Sequence, residues 1–414
     1  MTDSAQDAWR SLAGARVLLP SGCGFPAEFV GAIGGALTGR EQVEIVAGLV
    51  LTGYGFLAEL APYVRLTTWQ YAPGVAAAGN VSFLPLRYSQ IVGTFGPGGA
   101  YPVDALVLHL SPPAADGFCT LGVSPSYLAP LADRVPRLIG VVNEHMPTTT
   151  GHRRVHVDQL ERLVRLDAPL TEFGRSGWDE VDRAVAGNVA GLVRDGDTLQ
   201  IGLGGIPEAL LQHLSGHRDL GLVGMLTDGA MQLMEAGVVT GARYTPHPGA
   251  VEVGEVMGSR ALAEYAAAHD TVRVVGADYA MSPDTFARVP GLVAVNSAIE
   301  VDLGGQVNAE TVGHRIVSGA GGQCDYMQGA LLSPGGRSVI AMRSTARGGR
   351  SRIVSALGEG SVVTTPRTAV THVVTEHGVA GLAGRTLPER AAALAAIADP
   401  AHRAELLDAA KRWG

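Results

Sequence analysis

Two stretches of this chain read as copies of one device. Val17-Leu-Leu-Pro-Ser-Gly-Cys-Gly-Phe-Pro26 runs into an apolar segment at Phe29, and Leu199-Gln-Ile-Gly-Leu-Gly-Gly-Ile-Pro207 runs into 209–214 in the same way. Each is a short apolar run, a glycine loop and a helix opened by proline, whose missing N–H costs nothing there. Asp116-Gly-Phe-Cys119 and Asp302-Leu-Gly-Gly-Gln-Val307 echo each other later, in the same order. A strand–loop–helix unit used twice predicts two related α/β domains with open, mostly parallel sheets. The polar run 171–180 is the candidate linker, which places the domains at 1–180 and 181–414.

Apolar runs alternate with amphipathic stretches throughout. Strands are predicted at 16–19, 105–110, 138–142, 198–202, 272–275, 292–295 and 372–374, and the clearest helices at 261–269 and 388–397, both alanine-rich. The 56 glycines fall in short clusters between these runs, as tight turns require, and form no repeat.

Composition removes several function classes. A net charge of -8 argues against nucleic acid. No apolar run approaches the roughly 18 residues that span a bilayer, and the polar start up to Trp9 carries no signal peptide pattern. Cys23, Cys119 and Cys324 are too far apart for a zinc pattern and odd in number, which points to a reducing, cytoplasmic setting. The 12 histidines include no HxH or HExxH pair, so no metal is expected. The single lysine, Lys411, excludes a P-loop lysine.

Several motifs bear on chemistry. Gly202-Leu-Gly-Gly-Ile-Pro207 can present successive backbone N–H groups to an anion or an amide carbonyl, and it equally suits a tight turn. Ser318-Gly-Ala-Gly-Gly-Gln-Cys-Asp-Tyr326 is a second glycine loop whose N–H groups could face an oxyanion. Arg337, Arg343, Arg347, Arg350 and Arg352 form a cluster suited to phosphates or to a solvated surface. Glu300 and Asp302 share a strand face and are read as bonding their own neighbourhood. Glu144 and His145 follow a predicted strand, where α/β ligands bind, and are candidates for a base.

Taken in order, these stretches resemble the acetyl-CoA hydrolase/transferase family, which includes 4-hydroxybutyrate and acetate CoA-transferases. The resemblance runs through Pro85-Leu-Arg-Tyr-Ser89, Leu110-Ser-Pro-Pro113, Asn143-x-x-Met-Pro147, Thr198 to Pro207, Asn296-Ser-Ala-Ile-Glu-Val-Asp-Leu303, Gly321-Gly-Gln-x-Asp325, Ser351-Arg-Ile-Val354 and Val374-Thr-Glu-x-Gly378. It implies two CoA-transferase-like domains with the active site at their interface, an acyl-CoA substrate and a carboxylate acceptor; a homodimer is also expected. By resemblance Gly202, Leu203, Gly204, Gly205 and Ile206 line the pantetheine arm. Ile299 and Ser318 contact CoA, the Gly322 N–H holds the oxyanion, and Arg347 stands where a lysine meets CoA.

The family's nucleophile is a glutamate in a segment reading Ser/Thr-Glu-Met-x-x-Asp-Gly. This chain carries Met225, Asp228 and Gly229, but Gly224 stands at the glutamate, with one residue missing between Asp219 and Val223. Glycine can form neither anhydride nor thioester. Three expectations follow. The first is an enzyme acting at the thioester carbonyl by direct acyl transfer, hydrolysis or condensation, with the acceptor or water as nucleophile, His145 or Glu144 as activator, and the glutamate's place left to the second substrate. The second is a conventional CoA-transferase whose nucleophile is relocated to Glu144 or Cys23. The third is a non-catalytic CoA-binding protein.

Overall fold

The structure, a computed structural model, describes residues 3–72, 75 and 79–413; Met1 and Thr2, the start of the polar N-terminal run, lie outside it. The chain forms two compact units. The first comprises Met1–Gly174, Leu226–Asp228 and Glu252–Ser282; the second comprises Arg175–Met225, Gly229–Val251 and Pro283–Gly414.

Seven strands build the main sheet of the first unit: β1 (Arg16–Leu18), β2 (Val43–Ala47), β3 (Val64–Thr68), β4 (Val81–Phe83), β5 (Ala105–Leu110), β6 (Arg137–Asn143) and β7 (Arg162–Leu166). Their order is β4-β3-β2-β1-β5-β6-β7, all parallel. A parallel sheet is covered on both faces, so its inner strands are apolar on both sides. All six residues of β5, Ala-Leu-Val-Leu-His-Leu, are buried. Successive side chains point to opposite faces. Val17, Ile45 and Val107 therefore pack with Trp9, Phe29 and Ile33, while Leu18, Val46 and Leu108 pack with Trp69, Phe95 and Tyr127. Each such side chain contributes about 1.5–3 kcal/mol when fully buried.

The later segments of the first unit are stitched to this framework by backbone. Val256 donates to the Val123 carbonyl at 2.9 Å, Val274 to Thr150 at 2.7 Å and Ala277 to Ser126 at 2.9 Å.

In the second unit β8 (Thr198–Ile201) and β9 (Gly221–Leu226) precede the excursion to the first unit, where β10 (Val251–Val256) and β11 (Val272–Val274) run side by side. The chain returns through β12 (Leu292–Asn296), β13 (Arg337–Ala341), β14 (His372–Thr375) and β15 (Gly378–Gly381). The strands of the second unit lie in the order β9-β8-β12-β13-β14-β15, parallel except for the final antiparallel pair.

Both sheets reverse direction at the first strand of their unit, β1 or β8. Ligands in open α/β sheets bind beyond the strand C-termini at such a reversal. Each of these strands runs directly into one of the two glycine loops recognised in the sequence. The first continues into a turn at Gly22–Gly24 and a helix at Ala27–Gly31, the second into a helix at Gly205–His213.

The arginine cluster is dispersed by the fold. Arg337 is buried against Asp197 at 2.6 Å, Arg343 forks onto Asp182 at 2.7 and 2.9 Å, and Arg347 and Arg350 are exposed. Glu300 accepts from Asn308 and Ser361, and Asp302 from Gln306, so this carboxylate pair serves local structure.

Candidate functional site

In the second unit, Gly202 to Pro207 line a cavity of about 240 Å³ together with Asn296, Arg343 and Arg352. Gly204 has φ 130°, which a side chain rarely adopts, and a Cβ at Gly202 would meet nothing within 4 Å. The loop therefore leaves its backbone open to a ligand. Gly205 serves packing instead: a Cβ there would stand 2.8 Å from the Asp182 carboxylate, which Arg343 holds in place. The Arg352 Nε is enclosed and has no hydrogen-bond partner, and burial holds its guanidinium below the usual arginine range. A buried, unanswered donor on a cavity wall suits an anionic or carbonyl oxygen.

Gly224 lies on β9 with φ 94°. A Cβ there would come within 3.2 Å of Gln200 Cγ and 3.4 Å of the Tyr326 hydroxyl. Gln200 and Tyr326 thus border the space that a side chain at this position would enter. Gln200 is fixed by Asn296, whose amide donates to it at 2.9 Å. The Tyr326 hydroxyl is buried without a partner, and burial raises its pKa well above the usual phenol value. Tyr326 stands one turn into the helix Gln323–Leu332, which Gly322 caps. Helix N-termini present unpaired N–H groups, the geometry an oxyanion donor needs.

The other nominated CoA contacts lie in the second unit but not on the glycine-loop cavity. Ile299 donates its N–H to Asn308 at 2.8 Å and Ser318 donates to Glu310 at 3.2 Å. Arg347 is exposed at the start of a turn, Arg347–Gly349.

In the first unit a cavity of about 490 Å³ brings the neighbouring pair Glu144 and His145 together with the distant Cys23. Asn143, at the end of β6, sets the turn that presents the pair; its Oδ1 accepts from the His145 N–H at 3.1 Å. His145 Nε2 meets Asp167 at 2.9 Å, and Glu144 forms an exposed pair with Arg165 at 3.5 Å. Burial pushes the Cys23 thiol up to about 11, so it is not a thiolate at neutral pH. Asp228, from the family-like Asp-Gly pair, accepts from the Ser259 N–H and hydroxyl and steadies the start of the helix Arg260–Ala268. Among the described residues no cluster of three or more His, Cys, Asp or Glu could hold a metal.

Three residues escape the sequence reading. Arg352 appears there only as one of a cluster, and Tyr326 only as the end of a loop. Glu255 is absent altogether. Its Oε1 accepts from the Tyr88 hydroxyl at 3.1 Å, its Oε2 is enclosed without a partner, and Tyr88 lies 2.8 Å from Ser126. Burial pushes its carboxyl up to about 8, against the weaker pull of the hydroxyls of Ser124, Tyr88 and Ser126. The second of two carboxylates on a short strand, Val251–Val256, was the only available signal.

Comparison with known proteins agrees with this architecture. Residues 64–171 match the acetyl-CoA hydrolase/transferase N-terminal domain and residues 258–410 the C-terminal domain. The chain is 38% identical to the 4-hydroxybutyrate coenzyme A transferase of Clostridium kluyveri over 337 residues, 81% of this chain and 78% of the relative. It is 32% identical to the succinyl-CoA:cyclohexane-1-carboxylate CoA transferase of Geobacter metallireducens, over 95% of this chain and 91% of the relative. Among solved structures it superposes on RipA from Yersinia pestis with a TM-score of 0.91 at 27% identity, covering 99% of this chain and 97% of RipA. The 4-hydroxybutyrate CoA-transferase of Porphyromonas gingivalis gives 0.83 at 32%, with the same coverage. With both domains matched in order and relatives aligned over most of its length, the chain belongs to the acetyl-CoA hydrolase/transferase family.

Proposed function

We propose that this protein is an enzyme acting on acyl-CoA, and that it transfers, hydrolyses or condenses the acyl group directly, without a glutamyl-CoA intermediate. The observation that carries the reading is Gly224. Its positive φ suits glycine, and glycine supplies no carboxylate to form an anhydride or a thioester. Of the relocated nucleophiles, Cys23 is a buried thiol with a raised pKa and Glu144 is an exposed ion-pair partner, so neither replaces it well.

Gly202 to Ile206 would hold the pantetheine arm, Ile299 and Ser318 would contact the coenzyme, and Arg347 would meet its distal end. An acceptor or water, relieved of a proton by His145 or Glu144, attacks the thioester carbon. The carbonyl electrons move to an oxygen held by the Gly322 N–H, then return as the C–S bond breaks, and the CoA thiolate takes up a proton. Each oxyanion donor in such sites is worth roughly 10²–10³ in rate.

The test is intact-protein mass spectrometry during turnover of a short acyl-CoA, with borohydride or hydroxylamine trapping, beside an acceptor screen. Acyl-CoA consumption that depends on one acceptor, with no protein–CoA adduct, supports direct transfer. A trapped adduct and ping-pong kinetics would establish a conventional transferase. CoA binding with no turnover for any acceptor would leave a binding protein.

A further inference from the structure

Beside Gly224 lies a buried hydroxyl that no protein group answers, and from it we infer a further catalytic residue: Tyr326 donates its O–H to the carbonyl oxygen of the thioester. This role rests on the proposed function and deepens it, giving the oxygen held by the Gly322 N–H a second donor.

Tyr326 is 4% exposed, and its ring meets that of Phe286 edge-on, with centroids 5.6 Å apart. The hydroxyl at its tip is enclosed and has no partner. Phenylalanine would pack equally well without burying an unanswered polar group, so packing does not account for the oxygen. The hydroxyl stands 3.4 Å from where a Cβ on Gly224 would lie, and glycine keeps that place free of a side chain. Gln200 borders the same place through its Cγ. Its carbonyl is spent on Asn296 at 2.9 Å, while its Nε2 donates to no described residue.

Two features connect this place with a ligand. Asn296 ends β12 and lines the glycine-loop cavity, so a single hydrogen bond links the cavity wall to the side chain beside Tyr326. Side chains on a helix also lean toward its N-terminus and cover the preceding turn. Tyr326, whose own N–H bonds the Gly322 carbonyl at 3.0 Å, therefore projects back over the capped helix start and its unpaired N–H groups. An oxygen there meets a backbone N–H and the phenol together. Burial raises the phenol's pKa well above the usual value, so at neutral pH it donates a hydrogen bond and does not act as a base. As the nucleophile attacks, the C=O electron pair moves to the oxygen that Tyr326 holds. The pair returns when the C–S bond breaks, and the phenol keeps its proton throughout. A donor already in place strengthens its bond as that charge develops.

The experiment removes the donor and the acceptor in turn. Calorimetry on the intact protein compares acetyl-dethia-CoA, a ketone that keeps the carbonyl oxygen and cannot release a thiolate, with S-ethyl-CoA, which lacks that oxygen. Wild type is expected to bind the ketone severalfold more tightly. Tyr326→Phe should bind the two alike, while its melting temperature confirms folding. In thiol release from an acyl-CoA that the wild type consumes, the same variant should lose roughly 10²–10³ in kcat with KM within a few-fold. A ketone preference that survives in Tyr326→Phe, or one absent from the wild type, would overturn the assignment and leave the proposed function standing. So would an undiminished kcat. Wild-type affinity for neither analogue would remove the proposed function and this role with it.

Discussion

Gly224 shows how one backbone angle can govern chemistry. At φ 94° any side chain is strained, at a cost of about 1–3 kcal/mol. Gly224→Ala is therefore expected to lower stability by that amount in denaturant melts. Gly224→Glu should lower it at least as much, because the same φ strains glutamate, and leave acetate-dependent CoA exchange at background, because Gln200 and Tyr326 crowd the new side chain from its Cβ onward. At Cys23 the opposite insensitivity is expected. Its thiol is protonated and packed 3.8 Å from the Gly258 carbonyl, so Cys23→Ala should retain acyl-CoA turnover within a few-fold, measured by thiol release. A loss of several orders of magnitude would make the cysteine the nucleophile. The glycine's identity was legible in the sequence; its surroundings were not, since Gln200 and Tyr326 come from distant strand and helix positions.

Among the elements, those with strong one-dimensional patterns were the legible ones. The apolar run 105–110 is a strand as read, and the alanine-rich stretch 261–269 is the helix Arg260–Ala268. Strands that carry a charge or glycine between apolar residues escaped notice: Val43–Ala47 includes Glu44, Val251–Val256 includes Glu252, Gly254 and Glu255, and the edge strand Arg162–Leu166 sets Arg162 and Arg165 among leucine and valine. Glu44 is tolerated because Thr67, Tyr101 and Arg16 all donate to it, and Glu252 because Arg273 and Tyr279 do. Such partners are set by tertiary structure and have no local signature. Capping is an element-scale effect that can be measured. Ser259 accepts from Leu262 at the start of its helix, and Ser259→Ala should cost about 1 kcal/mol.

At the scale of the whole molecule, Glu255 links stability to pH. Its folded pKa, about 8, lies above the carboxylate value of the unfolded chain, so the native state holds a proton that the unfolded state has lost. The stabilisation is complete below the unfolded pKa and disappears as pH rises through about 8. The melting temperature of the wild type should therefore fall between pH 5 and pH 8.5, and Glu255→Gln should flatten that slope. An unchanged slope in the variant would mean that Glu255 is ionised in the folded protein.

The first unit is assembled from three separate lengths of chain, the last ending at Ser282. Its synthesis on the ribosome is therefore a waiting problem. The leading 174 residues emerge without the segments that Val123, Ser126 and Thr150 must bind, and those segments arrive only after the first part of the second unit has been translated. Until then the nascent chain exposes an unfinished edge to chaperones and proteases, and a stop codon shortly after residue 174 should yield an insoluble fragment.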